Sequence, residues 1–212
     1  MVRSVGVDGC PGGWVAVEVV DGQFTQAMFR ASFAELLNAF PDAIAVAVDI
    51  PIGLPESGPR PADSAARVFV GARRSSVFPT ATRALLEAPW RAGLGITRQA
   101  HSLGQRIFEV ESALTDRIYE VHPEVSFAAM NGGPLIQPKT SWNGQQVRRR
   151  LLQAIGIELP DDLASIGVVP ADDLLDAAAA AWTSGRIAIG KAVTLPAAPP
   201  RDRTGRAVAI WY

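Results

Sequence analysis

Ser4-Val5-Gly6-Val7-Asp8 and Ile44-Ala45-Val46-Ala47-Val48-Asp49 are two hydrophobic runs, each closed by a carboxylate and then a turn signal: Gly9 after the first, Ile50-Pro51 after the second. A short apolar run bounded in this way reads as a buried strand. An acid where such a strand leaves the core lies at its carboxyl end, where open α/β sheets place ligands. Two such acids on adjacent strands would form a pair suited to Mg²⁺ or Mn²⁺, because hard cations prefer oxygen ligands.

The neighbouring sequence supports adjacency. Residues 3–8 read as a first strand, 9–13 as a tight turn and 14–20 as a second strand; Asp21-Gly22 is a hairpin turn leading into a third strand at 23–30. Ser32 is a good N-cap with Glu35 at capping-box spacing, and Phe33, Leu36, Leu37 and Phe40 form a helical stripe that Pro41 stops. Residues 44–49 return as strand four. A right-handed crossover through the helix sets strand four beside strand one and makes Asp8 and Asp49 neighbours. From about 55 to 115 the pattern changes to Pro- and Gly-punctuated helical segments, near 61–72, 81–87 and 97–114, which read as an insertion covering one end of the sheet. Strand five is expected at 117–122, helices at 144–155 and 171–189, and a short last strand at 207–212, after a Pro-rich link at 194–205. The whole, residues 1–212, reads as one α/β domain.

With 212 residues and 48% hydrophobic content, the chain can bury a sizeable core. No apolar stretch is long enough to span a membrane, and no signal peptide is evident, so a cytoplasmic location is expected and no membrane partner. The single cysteine, Cys10, excludes an internal disulfide and a thiolate cluster. Neither His101 nor His122 is its sequence neighbour, which argues against a nucleophilic role. A net charge of −1 argues against the nonspecific nucleic-acid affinity of a basic protein. The charge is nevertheless graded. Residues 1–59 hold seven acids against two arginines, a balance of −5, and residues 60–117 hold nine arginines against five acids, a balance of +4. An acidic core with a basic flank suits metal binding followed by anion binding.

Four further motifs carry candidate chemistry. Asp172-Asp173-Leu174-Leu175-Asp176 opens a long helix, where acids favour the macrodipole and Asp173 and Asp176 have capping-box spacing. Asp176 also precedes an alanine run that lets the helix pack closely, and as a buried acid it needs a partner, which Asp8 and Asp49 could share through a cation. The glycine-rich turn Gly9-Cys10-Pro11-Gly12-Gly13 is neither a Walker loop nor a dinucleotide fingerprint and reads best as a plain hairpin turn. Arg73-Arg74-Ser75-Ser76 groups guanidinium and hydroxyl groups into a natural phosphate or carboxylate site. Glu120-Val121-His122-Pro123-Glu124 offers Glu120 as a ligand and His122 as a proton shuttle, set against a histidine satisfied by a backbone carbonyl. Lys139 and Arg148-Arg149-Arg150 are candidates for phosphate contacts, but three successive helix residues cannot face one way, so most of these arginines read as solvated.

With these stretches in place, together with Asp49-Ile50-Pro51-Ile52-Gly53-Leu54-Pro55, the chain resembles a family of uncharacterised proteins assigned to the ribonuclease H-like superfamily as predicted nucleases. The resemblance implies a mixed five-stranded sheet of order 3-2-1-4-5 flanked by helices, with acids on strand one, strand four and a late helix. Here those are Asp8, Asp49 and Asp176, with Asp173 or Glu120 as a fourth. It implies two-metal phosphodiester hydrolysis with Mg²⁺ or Mn²⁺. The expected partner is nucleic acid or another phosphate-bearing substrate, and a homodimer is left open. The acid that ribonuclease H itself carries between strands one and four has only Glu35 as a candidate, so Glu120 or Glu124 would have to substitute. Two other functions compete: a noncatalytic anion- or nucleic-acid-binding module of the same fold, and an actin-like ATP-using phosphotransferase. The second requires a duplicated half that the sequence does not display.

Overall fold

The structure, a computed structural model, describes residues 1–163, 166 and 168–212. A five-stranded sheet at its centre has the order β3-β2-β1-β4-β5. Strands β1 (Arg3–Cys10), β2 (Gly13–Val20) and β3 (Gln23–Arg30) form an antiparallel meander. Helix α1 (Phe33–Ala39) crosses over to β4 (Ala45–Val48), which runs parallel to β1, and β5 (Ile118–Glu120) runs parallel to β4. The fold is therefore the expected α/β arrangement, a mixed five-stranded sheet of order 3-2-1-4-5 flanked by helices. Ser32 caps α1 by accepting the Glu35 N–H at 3.2 Å.

Between β4 and β5 lie α2 (Pro61–Phe69), a 3-10 segment (Gly71–Ser76), α3 (Arg83–Glu87) and α4 (Arg98–Ser112). After β5 come α5 (Pro123–Asn131), α6 (Trp142–Ala154) and α7 (Ala171–Ala188). A small second sheet pairs β6 (Thr194–Leu195) with β7 (Ile210–Trp211).

Period-2 alternation divides the core into two layers. Val5, Val7, Val46 and Val48 face α1 and α4 on one side of the sheet. On the other side Val15, Val17 and Val19 pack with the Ala177–Ala181 stretch of α7. Gly6 is the residue that brings α7 so close: a Cβ there would overlap the Ala181 nitrogen and the Ala177 carbonyl oxygen. Two hydroxyls then fix the helix, Ser184 donating to the Ala45 carbonyl at 2.8 Å and Thr183 bonded to Ser126 at 2.8 Å.

Four local expectations are corrected. Strand β1 does not stop at Asp8 but continues to Cys10, because Gly9 pairs with Trp14 and the hairpin turn is only Pro11-Gly12, with Gly12 at φ +82°. Helix α5 escaped the sequence reading because Val125, Ser126, Phe127 and Ala128 are all buried, so no amphipathic period marks it. Pro123 at its start truncates β5 at Glu120. The Pro-rich link at 194–205 includes β6. Among the described residues there is no second five-stranded sheet, so the duplicated half that an actin-like enzyme needs is missing from them.

Candidate metal centre

Alternation along the strands decides where the acids go. Asp8 shares the α7 face of β1 with Gly6, two residues before it, and Asp49 follows Ala45 and Ala47 on the same face of β4. The Val7–Val48 pairing and the 3.0 Å bond from the Asp49 N–H to the Val7 carbonyl place the two acids side by side. Asp176 arrives from above, one residue before the alanine stretch that Gly6 admits. One carboxylate oxygen from each of Asp8, Asp49 and Asp176 lies within 4.8 Å of the others.

Three carboxylates this close and this deep should not all be charged without a cation. Burial, followed by the charges of Asp49 and Asp176, holds the Asp8 carboxyl well above the ordinary range. Burial pushes Asp49 up to about 7, against the pull of Lys139. Burial likewise pushes Asp176 up to about 7, again opposed by Lys139. Lys139 Nζ donates to Asp176 Oδ2 at 2.5 Å and stands 3.7 Å from Asp172. Burial would lower its pKa, but the attraction of Asp176 prevails and raises it, so this lysine is a permanent cation. One lysine leaves most of the negative charge of the trio uncompensated. Hard oxygen donors, shared burial and surplus charge fit a divalent cation.

The other expected residues are distributed unevenly around this trio. Asp173 is half-buried beside it and adds to its negative potential, but stays outside the three-acid cluster. Neither Asp172 nor Asp173 caps α7: the N-cap is Pro170, which brings no side-chain hydrogen bond. Glu120 lines the cavity over the trio but is not a free ligand, which corrects that expectation. It accepts from the Ile52 N–H at 2.7 Å and Arg60 Nη1 at 2.8 Å, and Arg60 Nη2 bonds it again. His122 Nδ1 accepts the Glu124 N–H at 3.2 Å, so its Nε2 carries the proton and donates to the Ser76 carbonyl at 3.3 Å. Burial lowers its pKa. A neutral histidine with both nitrogens engaged is the structural alternative to the proton shuttle.

Arg73 and Ser76 line the cavity, but Arg74 and Ser75 are exposed and outside its lining, so the expected four-residue anion site is split. Arg73 faces Glu124 at 3.6 Å. Arg148, expected on a solvated face, is instead fully buried and bonded to Glu124 and to the Gly144 carbonyl, whereas Arg149 and Arg150 are exposed. Glu35 is exposed, and its backbone N–H donates to the Ser32 cap. Cys10 is buried, and burial pushes its thiol up to about 11, consistent with an inert side chain.

The cavity over the trio has a volume of about 520 Å³ and is walled by α4 and by residues 77–81. Sequence reasoning missed Arg106 in this wall. Local pattern places it only at the margin: Gly104, Ile107 and Val110 are the buried residues of α4, and Arg106 lies one turn before Val110, at the edge of their stripe. A larger cavity of about 640 Å³ lies at the β5 edge, away from the trio, where Arg206 closes the strand by donating to the Ile118 and Thr115 carbonyls, each at 2.8 Å.

A family model described as a protein of unknown function, DUF429, matches residues 6–201. The chain belongs to the DUF429 family. The match takes in Asp8, Asp49 and Asp176 and helices α1 to α7, so the candidate centre lies within the DUF429 region and not on an appendage. No curated protein and no solved structure matches this DUF429 chain.

Proposed function

We propose that this protein is a Mg²⁺- or Mn²⁺-dependent nuclease in the broad sense, a hydrolase of phosphodiester bonds with the ribonuclease H-like arrangement of acids. The observation that carries the reading is the convergence of Asp8, Asp49 and Asp176, from β1, the end of β4 and α7, to within 4.8 Å at one end of the sheet. Bound divalent cations at such carboxylates activate water and stabilise the leaving oxygen in phosphoryl chemistry.

In this role Asp8, Asp49 and Asp176 hold the cations, and Asp173 adds to the field that draws them. Lys139 orients the Asp176 carboxylate. Gly6 and the alanines of α7 keep the three acids in register. The apolar wall limits water at the reacting phosphate, where charge interactions strengthen as solvent is excluded. His122 and Glu120 support the site by anchoring the 3-10 segment and the start of the insertion. The test is calorimetric titration with Mn²⁺ alongside cleavage of phosphodiester substrates. Wild type is expected to bind Mn²⁺ and cleave; Asp49→Asn is expected to lose both while keeping its fold by circular dichroism. Unchanged cleavage by Asp49→Asn would sink the proposal.

A further inference from the structure

The cavity above the trio restricts which phosphodiester can reach it, an inference that rests on the metal-dependent reading above. Of the cations lining it, Arg60 is spent on Asp63 and Glu120, Arg73 faces Glu124 at 3.6 Å, and Lys139 holds Asp176 at 2.5 Å. Arg106 is different. Its Nη2 donates to the Cys10 carbonyl at 2.5 Å and its guanidinium lies over the Trp14 ring, 5.2 Å from the centroid. Among the described residues it forms no ion pair. A backbone carbonyl and an aromatic face therefore hold it in place, with no carboxylate among the described residues at ion-pair distance; Asp173 feels its charge only at longer range.

Gly9 makes this placement feasible, since a Cβ there would overlap Arg106 Nη1; the guanidinium thus lies against β1 immediately beyond Asp8. A guanidinium carries five N–H donors in a planar fork suited to phosphate oxygens, and this one has spent few of them. Most of the remaining wall is apolar, with Thr80, Thr97 and Gln99 as its polar members. Leu86 and Ile107 are buried beneath it, while Phe78 and Leu103 keep 67% and 37% of their surfaces exposed at its rim.

We propose that the substrate is a nucleotide-sized phosphodiester that enters this cavity singly, its phosphate held between the cation at the trio and Arg106, and its ring against Phe78, Leu103 and Ile107. A volume of about 520 Å³ is that of a small-molecule site. A continuous strand, by contrast, is tracked by a row of cations along its phosphates, and one unpaired guanidinium answers one phosphate. In the reaction, water adds to phosphorus as one P–O ester bond breaks. The proton lost by the water balances the one gained by the leaving oxygen, giving a phosphomonoester and an alcohol. The same chemistry has two sources, a free dinucleotide and the end of a single strand.

The Mn²⁺-loaded protein should be offered a dinucleotide, a linear single-stranded oligonucleotide, the same strand closed into a circle, and a duplex. Hydrolysis of the dinucleotide alone names the free compound, and hydrolysis from the ends of the linear strand as well names the polymer terminus. Both outcomes require the circle and the duplex to be spared. Arg106→Met should raise KM for the dinucleotide by about tenfold or more, the loss of a charge-assisted hydrogen bond, and leave the Mn²⁺ titration unchanged. Because Arg106 packs on Trp14, Arg106→Lys serves as the second variant and should restore part of the affinity. If Mn²⁺ binds but the circle is cut as fast as the dinucleotide, the dinucleotide is neither bound nor cut, or KM is unmoved in a folded Arg106→Met, the substrate inference is overturned and the metal-dependent reading stands. If Mn²⁺ does not bind, both fall.

Discussion

A methyl group at Gly6 would overlap the backbone of Ala177 and Ala181, so the approach of α7 to β1 depends on that missing carbon. Gly6→Ala should cost about 2 kcal/mol in urea denaturation, as overpacking does, and it should weaken Mn²⁺ binding by lifting Asp176 away from Asp8. Arg60 is the buried counterpart. Its guanidinium is the partner of both Glu120 and Asp63, and Arg60→Met would strand two acids in the interior at about 3–5 kcal/mol, measurable by the same denaturation. Lys139 acts on the trio directly. Lys139→Met should lower the melting temperature of the metal-free protein and leave the Mn²⁺-saturated protein nearly unchanged, because the metal then supplies the missing positive charge. A deficit that persists at saturating Mn²⁺ would show that the lysine is needed for packing and not for charge.

Elements differ in how openly the sequence declared them. The β1–β4 pair and α7 were legible because strand alternation, the Ser32 cap of the crossover helix α1 and the alanine run of α7 all pointed one way, and with them came Asp8, Asp49 and Asp176. What stayed hidden were interactions that local pattern does not encode. Glu120 has the appearance of a ligand in its motif, but its partner Arg60 is 60 residues away in the chain and meets it only when α2 docks. Arg148 looked like one of three solvated arginines until Glu124 at the start of α5 claimed it. Arg106 sits on α4, whose role as a wall depends on how the insertion folds back over the sheet, a tertiary fact with no short-range signature. The same helix holds Glu109, which accepts the Trp14 indole N–H at 3.1 Å and the Phe33 N–H. Glu109→Gln should therefore loosen α4 against the sheet and appear as faster hydrogen exchange in α4 with little change in β1.

For the whole molecule, the trio makes stability a function of pH and of metal. Asp49 and Asp176 have folded-state values of about 7, above the ordinary carboxyl value of 3.8. Between about pH 4 and 7 the folded protein binds protons that the unfolded chain has lost, so the metal-free stability contributed by these groups falls as pH rises through that window. His122, lowered by burial, works in the opposite direction at acid pH, so the contribution of the trio is isolated by a variant. Metal-free Asp49→Asn should melt about 5 °C above wild type at pH 8, with the advantage gone at pH 5. Saturating Mn²⁺ should reverse the ranking at pH 8 by stabilising wild type alone. An unchanged ranking in thermal melts would mean that the acids carry no strain for a cation to relieve. The third acid also fixes when the centre can exist. Asp8 and Asp49 are synthesised well before the rest of the centre, whereas Asp176 and the alanines that cover Gly6 follow only from 127 residues beyond Asp49. A ribosome that stalls before α7 releases a fragment with two of its three acids and a bare sheet face, so an incomplete chain is both unarmed and visible to quality control.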